Sequence, residues 1–311
     1  MRLGVFSHGD EKRVGEIRGD VVIDRGAGTI FELGEPGAEI PLAEVQWHLP
    51  FEVADYVDFF SSLEHATNTG RIFRPGDEPL LPNWRRLPIG YHGRAGTVVV
   101  SGTEIRRPHG QRGEDDFGPT RKLDVEVELG FVIGKPAAGP VPVERALEHV
   151  LGAVLVNDWS ARDLQAWESR PLGPFLGKSF ATSISPWVTT LDELRVVPGV
   201  EQEPSPLPYL AIDNFAFDVA LELELNGTVF ARTNARHLYW NVAQQIAHLT
   251  SNGSTLRTGD LLATGTISGP GENERGSLLE LTWNEGPFLA DGDEVVIRGE
   301  PLGEVRGRIV H

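Results

Sequence analysis

The stretch RKLDVEVELGFVIG, residues 121–134, decides how the rest of the chain is read. Val125, Val127 and Leu129 fall on one side and Asp124, Glu126 and Glu128 on the other, and a period of two is that of a β-strand. The polar side of such a strand ordinarily faces water. Here it carries only acids and runs straight into an apolar segment. Two readings stand side by side: a solvated sheet face, or two glutamates that share a face because they hold something.

The surroundings are those of a globular protein. The 311 residues suffice for one large domain with a small partner, and 40% hydrophobic residues allow a large core. The net charge of −17 repels nucleic acid and anionic lipid, so neither is expected as a partner. An anionic small substrate remains open to it, because a local cluster of Arg, Lys or metal inverts the field. With no cysteine, disulfides, thiolate metal sites and a Cys nucleophile are excluded. The opening MRLGVFSHGDEKR lacks a signal-peptide core, and no apolar run approaches the roughly 18 residues of a membrane span. A cytoplasmic protein is expected.

The 36 Gly and 22 Pro predict many short strands and few helices. Residues 1–48 read as a small N-terminal β unit with strands at LGVFS, VGEIRG and VVID, followed by a larger domain over residues 49–311. Helices are expected at SSLEHATN, with Ser61 and Glu64 as a capping box, at SARDLQAWE, with Ser160 as N-cap, and across ARHLYWNVAQQIAHLTSNG, stopped at Gly253. Strands are expected at GTVVVSG, DVEVELGFVIG, LGAVLVND, DNFAFDVALELELNG, GSLLELTW and DEVVIRG.

Four acids stand on strands or at their ends: Asp58, Glu126, Glu128 and Asp158. Taken singly, each fits an ordinary role: an alternating acidic strand is more often a wet face, and an Asp after a strand more often a cap or turn former. Longer motifs change the balance. DFFSSLEHATNTGRIFR, LLPNWRRLPIGYHGRAGTVVVSGTEIRRPHGQ, RKLDVEVELGFVIG, VNDWSARDLQAWESRPLGPFLGKSFATSISPWV and LRTGDLLATGTISGP together resemble the fumarylacetoacetase family of the fumarylacetoacetate hydrolase superfamily from about residue 46 onward. The first 45 or so residues look instead like the short leader of smaller superfamily members.

The resemblance implies a mainly β fold with a few helices, a mixed β-sandwich roll, and a homodimer. It implies that Asp58, Glu126, Glu128 and Asp158 ligate one metal. Four carboxylates in a small site raise one another's pKa values, and a divalent ion relieves that repulsion. All-oxygen ligation selects Mg²⁺ or Ca²⁺, with Mn²⁺ also acceptable, over Zn²⁺ or Cu²⁺. By the same resemblance His65 is the base, Glu280 its carboxylate partner, and Arg162, Gln165 and Lys178 the oxyanion site. Arg74, Tyr91 and Thr266 are implied substrate contacts. Read without the family, His65 and Glu280 are an ordinary helix residue and an ordinary strand residue, and Arg162 and Gln165 a solvated helix face.

Two positions depart from the family. Phe60 and Ser169 stand where it has tyrosines of the substrate-contacting set, and Arg170 is a new charge beside the second. The expected activity is metal-dependent hydrolysis of a carbon–carbon bond in a 1,3-dicarbonyl acid, with fumarylacetoacetate giving fumarate and acetoacetate, as in tyrosine and phenylalanine breakdown. The alternatives are an acylpyruvate hydrolase, a keto-acid decarboxylase or isomerase of the same superfamily, or a metal-binding regulator without catalysis.

Overall fold

A computed structural model describes all 311 residues. The decisive stretch forms a strand from Val127 to Ile133 in which every residue is buried. Its neighbours explain this. It pairs antiparallel with Val150–Asp158 on one side and with Leu261–Ala263 on the other, at the centre of a 13-stranded mixed sheet. Leu129, Phe131 and Ile133 enter the main core, together with Leu221, Leu223, Val295, Ile297 and Val305 of a second, five-stranded sheet. Val132 points the other way, into a smaller core with Val154, Val156, Leu261 and Ala263. The central strands are therefore covered on both faces. The polar side of the opening stretch has no water to meet: Asp124 and Glu128 are completely buried and Glu126 is 4% exposed. Burying an unpaired carboxylate costs several kcal/mol, so these acids require partners.

The architecture is mainly β, with mixed sheets and four α-helices: α1 Leu63–Phe73, α2 Arg162–Glu168, α3 Val242–Thr250 and α4 Leu278–Leu281. None is long and apolar enough to cross a membrane. Five short strands within residues 1–48 extend the large sheet at one edge, where Arg2–Ser7 pairs with Trp187–Thr190, Leu3 opposite Val188.

The expected helix starts need correction. α1 is capped by Ser62, which accepts from the His65 amide at 3.2 Å, because the Ser61 hydroxyl is taken by Gln245 at 2.8 Å. α2 has Ala161 at its N-cap and no side-chain cap; Ser160 instead pairs in a short ladder with Asp124 and bonds the Asp158 carbonyl. α3 is shorter than its periodicity suggested. It begins after Asn241, which forms a reciprocal capping box with Gln244. The preceding Ala235–His237 is a 3₁₀ turn, and the Tyr239 amide bonds the Ser61 carbonyl instead of continuing a helix.

The largest difference is at SLLELTW. The expected strand is a single helical turn, α4. Ser277 caps it by accepting from the Glu280 amide at 3.3 Å, while Asp124 accepts from the Leu278 and Leu279 amides at 2.8 and 3.1 Å. A carboxylate 154 residues away in sequence thus satisfies donors that would otherwise be orphaned at the helix start.

Candidate active site

Four strands running side by side build the floor. Asp158 ends Val150–Asp158; Glu128 lies on Val127–Ile133 and Glu126 one residue before it; Asp58 is on Tyr56–Phe59, across the intervening Leu261–Ala263. The register places Glu128 opposite Val156, Gly130 opposite Ala263 and Ala263 opposite Asp58. The acids share the face that carries Val132 and Val156 further along, and small Gly130 and Ala263 lie between them. Ligand oxygens of all four carboxylates lie within 4.8 Å of one another, and all four side chains are buried.

The cluster is only partly compensated. Lys178 bonds Glu126, Asp158 at 2.6 Å and the Ser160 hydroxyl at 2.8 Å, which occupies all three of its N–H donors. Arg162 donates from Nε to Asp124 at 2.8 Å, from Nη2 to Glu126 at 2.7 Å and from Nη1 to Gln165 at 3.1 Å. Two cations thus face five buried carboxylates once Asp124 is counted. The charges sort themselves accordingly. Burial would raise the Glu126 carboxyl, but Lys178 and Arg162 outweigh it and hold it far below the usual carboxylate range. Burial and the neighbouring acids push Asp58 and Glu128 well above that range, and Asp158 upward despite Lys178. Lys178 and Arg162 are desolvated as well, yet the surrounding carboxylates keep both above their ordinary values.

Two oxygens in the cluster are buried without a partner: Asp58 Oδ1 and Glu128 Oε1. Buried polar atoms are nearly always satisfied, so this pair of orphans is informative. Clustered acids, unpaired oxygens and a deficit of positive charge fit a hard divalent cation bound by Asp58, Glu126, Glu128 and Asp158.

A cavity of about 450 Å³ opens above the floor. Its lining includes Asp58, Glu126, Arg162, Gln165, Lys178, His65, Arg74, Tyr91, Thr266 and Phe60. Ten of the fourteen expected site residues are thereby brought to one place; Asp158 and Glu128 just beneath it make twelve, Glu280 behind His65 makes thirteen, and the remaining one is Ser169. Its hydroxyl turns back onto the Gln165 carbonyl, and neither Ser169 nor the exposed Arg170 reaches the lining. Tyr91 Oη, Thr266 Oγ1 and Arg74 Nε are buried beside the cavity with no partner in the protein, the condition expected of groups that await a polar ligand.

The His65 imidazole is firmly held. His65 Nδ1 meets Glu280 Oε2 at 2.7 Å across 215 positions of sequence. Asn68 donates to Glu280 Oε1 at 2.9 Å, and Ser268 and Ser277 each donate to Oε2 at 2.9 Å. Burial would raise the Glu280 carboxyl; the His65 charge and the bonds from His65, Asn68 and Ser277 overcome it and lower it. Phe60 packs edge-on against the imidazole, ring centres 5.3 Å apart. Sequence reading missed Asn68, Ser268, Ser277, Ser160 and Asp124 as members of this network. Only Asp124 carried a signal, its place on the acidic side of the opening stretch.

The profile of the fumarylacetoacetate (FAA) hydrolase C-terminal family matches residues 56–310. A fumarylacetoacetase of Rattus norvegicus is 49% identical over 289 residues, 84% of this chain and 69% of that one. Among solved structures, a fumarylacetoacetate hydrolase from psychrophilic Exiguobacterium antarcticum superposes with a TM-score of 0.70 at 20% identity, covering 100% of this chain and 99% of the other. A 5-carboxymethyl-2-hydroxymuconate delta-isomerase from Mycobacterium smegmatis gives 0.68 at 24%, covering 100% and 98%. Those two likenesses are of fold alone, and their differing names show that the fold does not choose the reaction. The sequence matches are of another kind: with the family profile spanning most of its length and close to half its residues identical to a fumarylacetoacetase, the chain belongs to the fumarylacetoacetate hydrolase family.

Proposed function

We propose that the protein hydrolyses a carbon–carbon bond in a 1,3-dicarbonyl acid, converting fumarylacetoacetate and water to fumarate and acetoacetate. The observation that carries this reading is the His65–Glu280 pair opening on the same cavity as the four-carboxylate floor. Close sequence similarity to fumarylacetoacetases supplies the substrate.

With Nδ1 donating to Glu280, the imidazole presents Nε2 as a proton acceptor, and the carboxylate holds that tautomer and steadies the cation that forms. His65 therefore takes a proton from water as the water oxygen bonds to a substrate carbonyl. The carbon–carbon bond then breaks, one product leaves as a carboxylic acid, and the departing carbon receives a proton. A divalent cation held by Asp58, Glu126, Glu128 and Asp158 supplies Lewis-acid stabilisation of the enolate-like charge when bound. Arg162 keeps an uncommitted N–H on each Nη after bonding Asp124, Glu126 and Gln165, so it can donate to the oxyanion as the tetrahedral carbon forms. Lys178 has no N–H to spare in this arrangement and would serve the same site only by releasing Glu126, Asp158 or Ser160. Arg74, Tyr91 and Thr266 offer their unpaired polar atoms to the rest of the substrate.

The cation is read as Mg²⁺ or Ca²⁺, with Mn²⁺ acceptable to the same oxygens. The chain is read as a cytoplasmic homodimer; Trp167, Leu172, Phe175 and Leu176, all at least 50% exposed within ten residues, are suited to an interface. Sedimentation of the pure protein tests the dimer. Incubation with fumarylacetoacetate tests the activity: fumarate and acetoacetate in equal amounts are expected, and release of carbon dioxide or an isomer from a panel of keto acids would favour the superfamily alternatives. Binding of the panel without turnover would point to a regulator.

A further inference from the structure

The opening stretch has three acids on its polar side, and the metal reading uses two. Asp124 is the third. It is completely buried and lies on a two-residue strand, Leu123–Asp124, that pairs with Ser160–Ala161 immediately before α2. Its carboxylate accepts four hydrogen bonds. Two come from the amides of Leu278 and Leu279 at the start of α4, one from the Val125 amide at 2.8 Å and one from Arg162 Nε at 2.8 Å. These contacts lead to different parts of the site. α4 is one turn long and carries Glu280, which holds His65. Arg162 reaches past Asp124 to Glu126 and Gln165.

A four-residue helix has little stability of its own, because nucleation is costly and few bonds return it. The direction of α4, and hence of the Glu280 carboxylate, depends on what binds its first amides. Arg162 is likewise a long side chain whose orientation must be imposed, and a carboxylate on Nε leaves both Nη groups free to face the cavity. One buried side chain does both. We propose that Asp124 is a positioning residue that sets the Glu280–His65 pair and the Arg162 guanidinium in a common register. The proposal rests on the reading of His65, Glu280 and Arg162 as catalytic groups.

Asp124→Asn keeps the shape and removes the charge, leaving one carbonyl oxygen where two carboxylate oxygens served Arg162 and both helix amides. The test compares it with the wild type and Asp124→Glu, all loaded with Mg²⁺. Steady-state kinetics with fumarylacetoacetate are measured beside long-range ¹H–¹⁵N spectra of the imidazoles, in which His65 is identified by its loss in His65→Ala. In Asp124→Asn, kcat is expected to fall at least about tenfold, as small misplacements of catalytic groups do, with KM changed less than about threefold. The His65 ring nitrogens are expected to move toward their positions in Glu280→Gln. Asp124→Glu, which restores the charge, is expected to recover part of both. Unchanged kcat overturns the proposal, and so does a loss of kcat with His65 signals at wild-type positions, since Asp124 would then act on Arg162 alone. Failure of both variants to fold makes Asp124 a structural residue and overturns it too. If the wild type turns over no dioxo acid, the functional reading has failed, and the His65 spectra still decide whether Asp124 orients the pair.

Discussion

At the floor of the cavity, Glu126, Asp158, Arg162 and Lys178 are at most 5% exposed and interlocked with one another; at its mouth, Phe73, Leu81 and Leu172 are 45%, 53% and 96% exposed and their side chains bond nothing. The floor is built from side chains on paired strands, where the ladder fixes each Cβ and burial makes every missing partner costly. The mouth is built from loops and a helix end, where an apolar group can change with little penalty. On the proposed function, chemistry belongs to the first region and selectivity to the second, so substitutions in the two are expected to differ both in size and in which kinetic constant they move.

The largest effect belongs to the floor. Glu126→Gln with Glu128→Gln leaves two of the four carboxylates and should abolish both metal retention and turnover. Elemental analysis beside an activity assay checks this; full activity after exhaustive chelation would sink the metal reading. His65→Ala comes next, with kcat reduced at least about a hundredfold while the metal stays bound, the usual scale for losing a positioned base. Wild-type turnover by that variant would mean that another group takes the proton.

Glu280→Gln should lower kcat less than His65→Ala, and it carries a pH signature in stability. The Glu280 carboxyl lies below its ordinary value in the folded protein. Such a group stabilises the fold above its unfolded pKa, and the contribution disappears as pH falls through the folded value. The melting-temperature deficit of Glu280→Gln should therefore be full at neutral pH and shrink below about pH 4, near the ordinary pKa of Glu. A deficit that stays constant across that window would remove the charge argument for the pair.

Between floor and mouth stands Phe60, packed on His65. Phe60→Tyr adds a hydroxyl to the cavity wall. If it reaches the substrate's distal carboxylate, preference for fumarylacetoacetate over a neutral acylacetoacetate should rise by about tenfold or more, since a hydrogen bond to a charged group is worth roughly 1.5–3 kcal/mol. Ser169→Tyr is the matched comparison at a position whose present hydroxyl faces Gln165 instead of the cavity. A ratio moved by neither would show that the wall beside His65 does not read the carboxylate. The smallest effect is expected at the rim: Leu81→Ser should change stability by no more than about 0.5 kcal/mol and shift KM, if anything, without touching kcat. A large fall in kcat there would erase the distinction between the two regions.

The sequence alone determined the strand character of 127–133, the side of it on which Glu126 and Glu128 stand, and the mainly β class, because these follow from a local period and from turn residues. The family motifs added the expected site residues one by one, each match being local. Residues that meet across long separations were another matter. Asp124 with Leu278, Glu280 with Asn68 and Ser268, and Lys178 with Ser160 have no shared period or motif. The turn of helix at α4 was read as a strand because LLEL is apolar and short, and its helical state depends on Ser277 and on a carboxylate from the far side of the chain. Tertiary structure also decided that the acidic face is dry, since only a second core against Val132, Val154 and Val156 closes it to water. Alternation says which side chains share a face; what covers that face is a property of the assembled sheet, and it is the cover that turns three acids that could have been solvated into buried carboxylates in need of partners.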